Sequence, residues 1–230
     1  SLTVGIFTYL GFRVKEIDQN QKQRTIQDFI HETKTILKIN RNFRRYIYSR
    51  IFLTAQFPAI GLYAVYSRDI FHFDISEAGL LTAARLVAFG LGSIVAGRIG
   101  DKIGHKAAMT FCFAGHLFAI ATALAVQSMF WVYGIFIFLG MAQGAFFPSA
   151  MSIVFDFAGE KGDNKMIMAL IDTILSPFIL MAIIVGGILS ETVGFIILFH
   201  ILGVLMFAGL LTIIFFVREP HHESSISVNS

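Results

Sequence analysis

Long runs without a formal charge dominate the chain. Residues 107–155 are 49 consecutive positions without Asp, Glu, Lys or Arg. One bilayer crossing takes about 20 apolar residues, so this run holds two. Gln127 and Ser128 near its middle predict the turn between them. Further charge-free runs cover 51–67, 173–190 and 192–217, and 78–97 is interrupted only by Arg85. In lipid every backbone polar group must be satisfied within the chain, which leaves helices for runs of this length. The pattern predicts an all-α integral membrane protein: a six-transmembrane-helix bundle over 46–217, with helices near 46–67, 78–97, 107–126, 129–155, 166–189 and 195–217.

The flanks read differently. Residues 1–12 are apolar but too short to span, and they lack the basic leader and small-residue cleavage pattern of a signal peptide. They read as the end of a truncated transmembrane helix. Residues 13–45 are polar and basic. Within them Ile26, Phe29, Ile30 and Leu37 fall at helical spacing, which predicts a cytoplasmic linker with an amphipathic helix at the membrane surface. Residues 218–230 read as a disordered cytoplasmic tail. Phe12-Arg13-Val14-Lys15-Glu16 echoes Phe216-Val217-Arg218-Glu219-Pro220, each an apolar stretch leaving through a basic–acidic exit. The echo predicts about six further helices upstream.

Composition agrees with lipid as the solvent. The 230 residues are 56% hydrophobic, include 25 Phe and are only 14% charged, against about 25% charged in soluble domains. If the helices alternate in direction, 16 of the 18 Lys and Arg fall on one side; Arg50 is counted there as lying near the inner end of the first helix. The positive-inside rule makes that side, with the C-terminus, cytoplasmic. Tyr46 and Tyr48 at the inner end, and Trp131 and Tyr133 at the outer end, fit interfacial anchors. The excess of base is thus accounted for without nucleic acid as a partner. The single Cys112 lies within a helix and forms no internal disulfide.

One inter-helix segment carries a family resemblance. Residues 97–106, read as a loop, contain Gly97, Asp101, Lys102, Gly104 and Lys106. These positions match G-x-x-x-[DE]-[RK]-x-G-x-[RK]-[RK], and Ala107 departs from its last basic position. The segment resembles the signature of the major facilitator superfamily, which lies between helices 2 and 3 and recurs between helices 8 and 9. Glycines permit tight turns and close helix approach, and the carboxylate can face a neighbouring helix N-terminus. The resemblance implies that the chain is helices 7–12, with residues 1–12 ending helix 6. It also implies half of a twelve-helix fold of 3+3 inverted repeats that works by alternating access, with residues 97–106 as a conformational-gating loop.

Polar residues inside helices are the candidate binding groups. Arg85 lies about 18 Å from Gly97 along its helix, near mid-membrane, where an Arg costs about 2.5–3.5 kcal/mol on insertion scales. It can hold an anionic group or counterbalance a titrating acid. Asp172, about 10 Å past Lys165, can carry a coupling proton, bind a cation or serve an inner gate. Gln143 sits with Gly140, Gly144 and Pro148 in a helix that the resemblance makes cavity-lining. Gln56 and Tyr63 share a face by seven-residue spacing. Gly140 and Gly144 form a G-x-x-x-G packing face, and Pro148 and Pro177 each free a helical carbonyl. His116 and His200 read as packed or interfacial histidines.

No catalytic constellation, metal-ligand cluster or cofactor loop is visible. The residues therefore point away from an enzyme. They point to a secondary active transporter for a small solute, ion- or proton-coupled, in a bacterial inner membrane, with a six-helix N-terminal half as partner. The bacterial assignment comes from compactness. The alternative is a transporter-like sensor or scaffold that moves nothing.

Overall fold

The computed structural model describes residue 38 and residues 40–158 and 164–219. The stub, most of the linker and the tail from residue 220 onward lie outside the described residues. Seven α-helices follow in order: α1 (Arg41–Leu53), α2 (Gln56–Phe71), α3 (Ile75–Ile103), α4 (His105–Leu124), α5 (Met129–Ala158), α6 (Asn164–Thr192) and α7 (Phe195–Leu211), which passes into a π-helical turn (Thr212–Phe216). There is no strand among the described residues. Among the described residues, five segments are long and apolar enough to cross a membrane: α3, α4, α5, α6 and the run Phe195–Phe216.

The first predicted helix, 46–67, is corrected at both ends and in the middle. It starts earlier because Asn40 caps it, its side chain accepting from the Phe43 N–H at 2.8 Å, a preferred cap residue. It breaks at Thr54–Ala55 because of Pro58. Proline has no N–H for the carbonyl four residues back, and its ring crowds that carbonyl. Thr54 O is instead reached by the Phe57 N–H at 3.1 Å, and the Thr54 and Ala55 N–H groups fold back to Ile51 O and Phe52 O. These are three-residue turns that tighten the chain and bend it.

Helix α3 outruns its prediction, 78–97, in both directions. Its start is set by Asp74, whose carboxylate accepts from Glu77 N–H at 3.0 Å and from Ser76 Oγ at 2.8 Å. Its end carries Arg98 and Lys102 through to Ile103, since cations are favourable near a helix C-terminus.

Helix α5 is the hub, packed most extensively against α3 and α4. A side chain at Gly140 would meet Arg85 O and Ala88 Cβ, and one at Gly144 would meet the backbone of Phe89 and Ser93. The α3–α5 contact therefore runs backbone on backbone. Pro148 leaves Gly144 O without its helical donor, and the Ser93 hydroxyl of α3 reaches that carbonyl at 2.9 Å, sharing its one proton with Phe89 O of its own helix at 3.0 Å. On the other flank, α7 joins α4 and α1 where Gly209 admits Phe113 and Phe52. Tyr63, Tyr66, Phe195 and Phe199 lock α2 to α7, with Tyr63–Phe199 ring centroids 5.2 Å apart. Outward faces carry large apolar side chains such as Phe130, Val204 and Phe215, as lipid contact requires.

The Ser93 bond yields a pair-wise prediction. Ser93→Ala should cost about 0.6–2 kcal/mol in reversible unfolding in mixed micelles. Pro148→Ala in the same chain should restore most of it, because residue 148 then donates to Gly144 O; no rescue would disprove the assignment. Asp74 gives a pH prediction. Bonds from the Glu77 N–H and Ser76 hold its carboxyl below the ordinary 3.8. The cap is therefore fully formed above about pH 4 and lost as pH falls through the lowered value. Amide protection factors in the first turn of α3 should fall on that acidification, and should be low at every pH in Asp74→Ala.

Candidate functional site

A cavity of about 320 Å³ opens between α1, α2, α5 and α6. Its wall is mostly apolar: Leu53, Phe57, Phe146, Phe147, Met151 and Met168 are prominent. Its polar members are Arg50, Thr54, Gln56 and Asp172. The helix break brings Thr54 and Gln56 to it. Asp172 faces it from α6, about 12 Å along that helix from Asn164. Pro177 falls between the lining residues Leu175 and Ile179, and it deprives Thr173 O, next to the lining Asp172, of its helical donor. Interrupted helices of this kind are where membrane transporters build their sites.

Arg50 is the residue that sequence reasoning missed. It is not near the inner end of its helix. Helix α1 begins at Arg41, so Arg50 stands about 14 Å further along and is only 8% exposed. It donates to Tyr46 Oη at 2.9 Å and lies over the Phe146 ring at 4.6 Å. Removing it from the basic count leaves the charge asymmetry intact. The available signal was its place two turns inside an apolar periodicity that starts at Phe43.

Other candidates part company with the cavity. Tyr63 is fully buried against Phe199. It shares a face with Gln56, but two helical turns put it about 10 Å beyond the cavity. Gln143 lies on the lining face of α5 one turn past Phe147, off the wall, and is half-buried. Arg85 sits half-buried on α3, away from the cavity, with no ion pair among the described residues. His116 is buried with Nε2 unbonded, and His200 is exposed with its ring on Ile196 O.

Residues 97–106 are not a loop. Gly97, Asp101 and Lys102 lie within α3 and Lys106 within α4, leaving Gly104 as the only non-helical residue. Gly104 has φ 120 and ψ 158, a region that essentially only glycine occupies. A Cβ at Gly97 would meet nothing. The N-terminus of α4 is capped not by Asp101, which is exposed, but by Glu219. Its carboxylate accepts from His105 N–H at 2.7 Å and from Lys106 N–H at 3.2 and 3.3 Å. Neighbouring bonds complete a clasp. Lys106 Nζ donates to Ile214 O and Arg45 to Phe216 O. Asn42 pairs with both the carbonyl and the N–H of Arg218. The helix ends at Phe216, which leaves those carbonyls without helical donors, and α1 and α4 use them to hold the end of α7. Arg218-Glu219 had read only as an exit from the membrane; the missing signal was an α4 start without a Ser, Thr, Asp or Asn cap.

A polytopic helical bundle with an internal, partly polar cavity beside interrupted helices defines a membrane-embedded solute-handling class. The family model of the Major Facilitator Superfamily matches residues 46–229. The chain belongs to the Major Facilitator Superfamily, a family of membrane transporters, and is an integral membrane protein. A search among curated proteins returned no significant match.

The clasp predicts two unequal losses. Glu219→Ala removes a helix cap and should cost about 0.5–2 kcal/mol. Gly104→Ala forces a side chain into the glycine-only region and displaces the Glu219 carboxylate, adding about 1–3 kcal/mol of strain. Thermal melting should rank them Gly104→Ala below Glu219→Ala below wild type; equal melting points would remove the backbone argument.

Proposed function

We propose that this chain is the C-terminal six-helix half, helices 7–12, of a secondary active transporter. It is built of 3+3 inverted repeats and moves a small solute by alternating access with an ion or a proton as coupling partner. The observation that carries the reading is the cavity: a mostly apolar chamber bounded by a broken helix and a proline-containing helix, with Asp172, Gln56 and Arg50 on its wall. Drug-sized ligands occupy cavities of about 300–1,000 Å³ with a few placed polar groups. An N-terminal half of six helices would supply the opposite wall.

The signature segment supports a gating role through a single hinge at Gly104. Rocking of the two halves would work on the clasp of Glu219, Lys106, Arg45 and Asn42. The basic end of the bundle, where Arg41, Arg45, Arg98, Lys102 and Lys106 gather, would face the cytoplasm, with the C-terminus on the same side. A bacterial inner membrane is the proposed location. Arg85, apart from the cavity and half-buried in mid-helix, would meet its counter-charge in the other half.

The test uses the full-length transporter in proteoliposomes with an imposed proton gradient. Asp172→Asn should let solute move without proton movement; coupled flux at the wild-type ratio would make Asp172 structural. Arg85→Ala should abolish flux at normal insertion, and wild-type flux would remove Arg85 from the mechanism. No flux under any gradient for any probe in the intact protein would favour a non-transporting sensor.

A further inference from the structure

We infer that the cavity between α1, α2, α5 and α6 takes a small organic monoanion with an apolar body, its anionic group held by Arg50. The inference rests on reading the cavity as the solute site and names the chemistry of that solute.

The argument begins with charge. Arg50 carries five N–H donors, and one is spent on the Tyr46 hydroxyl. The Phe146 and Tyr46 rings give its face a cation–π surface, but neither they nor a hydroxyl supplies a counter-charge. Among the described residues Arg50 forms no ion pair; Asp172 lines the same cavity without closing one. Arg50 is only 8% exposed and gains more from a counter-charge than Asp172, which is exposed. The uncompensated charge in the cavity is therefore the positive one. Its planar fork matches a carboxylate bidentately.

The surroundings shape the remainder. Gln56 is 4% exposed and lines the cavity, and its amide has no partner among the described residues. It is placed to donate to the same anionic group. Asp172 repels a second negative charge, which selects monoanions over dianions. Leu53, Phe57, Met151, Met168, Leu175 and Ile179 form the rest of the wall, so the body of the solute is apolar. The methionines adapt to varied shapes.

The test compares benzoate, benzamide and benzylamine, which share one ring and differ in head-group charge, as ligands in thermal-shift titrations of the purified protein. Benzoate should raise the melting temperature, with no shift from the other two at equal concentration. Arg50→Gln should weaken the benzoate response about tenfold or more, Arg50→Lys should keep part of it, and Arg68→Gln should leave it unchanged. A shift from benzylamine but not benzoate overturns the inference, as does a benzoate response that survives Arg50→Gln. The wild-type comparison decides even if an Arg50 variant folds poorly. Repeating it in nanodiscs with and without phosphatidylglycerol separates sources: competition by the lipid assigns the anion to a membrane amphiphile, and no competition to a free solute. Benzoate bound through Arg50 in a protein that shows no flux keeps this inference and removes transport. Flux without benzoate binding removes this inference alone.

Discussion

The constraint on which the rest depends is that no backbone carbonyl can be left unsatisfied in lipid. This chain interrupts its helical ladders in several places, and at three of them a named donor takes the freed carbonyls. Pro58 strands Thr54 O, and the Phe57 N–H takes it. Pro148 strands Gly144 O, and Ser93 takes it from a neighbouring helix. The end of the last helix at Phe216 leaves Ile214 O and Phe216 O without helical donors, and Lys106 and Arg45 take those. In the last two cases the repair is a tertiary bond. Those two interruptions thus double as joints between elements, which is how a bundle without a hydrophobic driving force between its helices acquires a defined geometry.

The joints explain where the cavity lies. The bend at Thr54–Ala55 lets α1 and α2 point in different directions, so Arg50, Thr54 and Gln56 reach one space. Glycines at 140 and 144 pull α5 onto α3 on one side. Its other face, Phe146 to Val154, is left to line the chamber against α6. Close packing on one flank and an opening on the other come from the same helix, at positions a few residues apart. A bulky residue at 144 would push α5 off α3 and change the chamber with it.

What was legible in the sequence follows from the same physics. Charge-free runs marked the apolar helices because lipid excludes charge. Their ends were misjudged because helices continue beyond the bilayer, where Arg98 and Lys102 are favourable at a C-terminus. Asp172 and Gln56 stood out as polar positions in apolar runs, and both line the cavity. Tyr63 and Gln143 were chosen by face, and spacing fixes the face of a helix but not the depth at which a cavity ends. Asp101 was read as a cap because it lies in the signature. The actual cap, Glu219, comes from more than a hundred residues away, a distance over which no local pattern reports. Pro58 was visible throughout, but its consequence lay in the carbonyl four residues earlier.

Arg50 shows the limit of counting charges by side. A topology argument treats every Lys and Arg as a surface anchor, and the asymmetry survives whether or not one of them is buried. Energetically the single exception matters more than the rest. A basic residue at the interface gains about 1 kcal/mol from an anionic surface, whereas a buried charge without a partner costs several. Tyr46 and Phe146 offset part of that cost by a hydrogen bond and a ring face, both neutral. The remaining demand for negative charge is concentrated on one side chain at the wall of one chamber. Asp172 stands on the same wall but is exposed, so the chamber's choice of charge sign rests on Arg50 being the more deeply buried of the two charges.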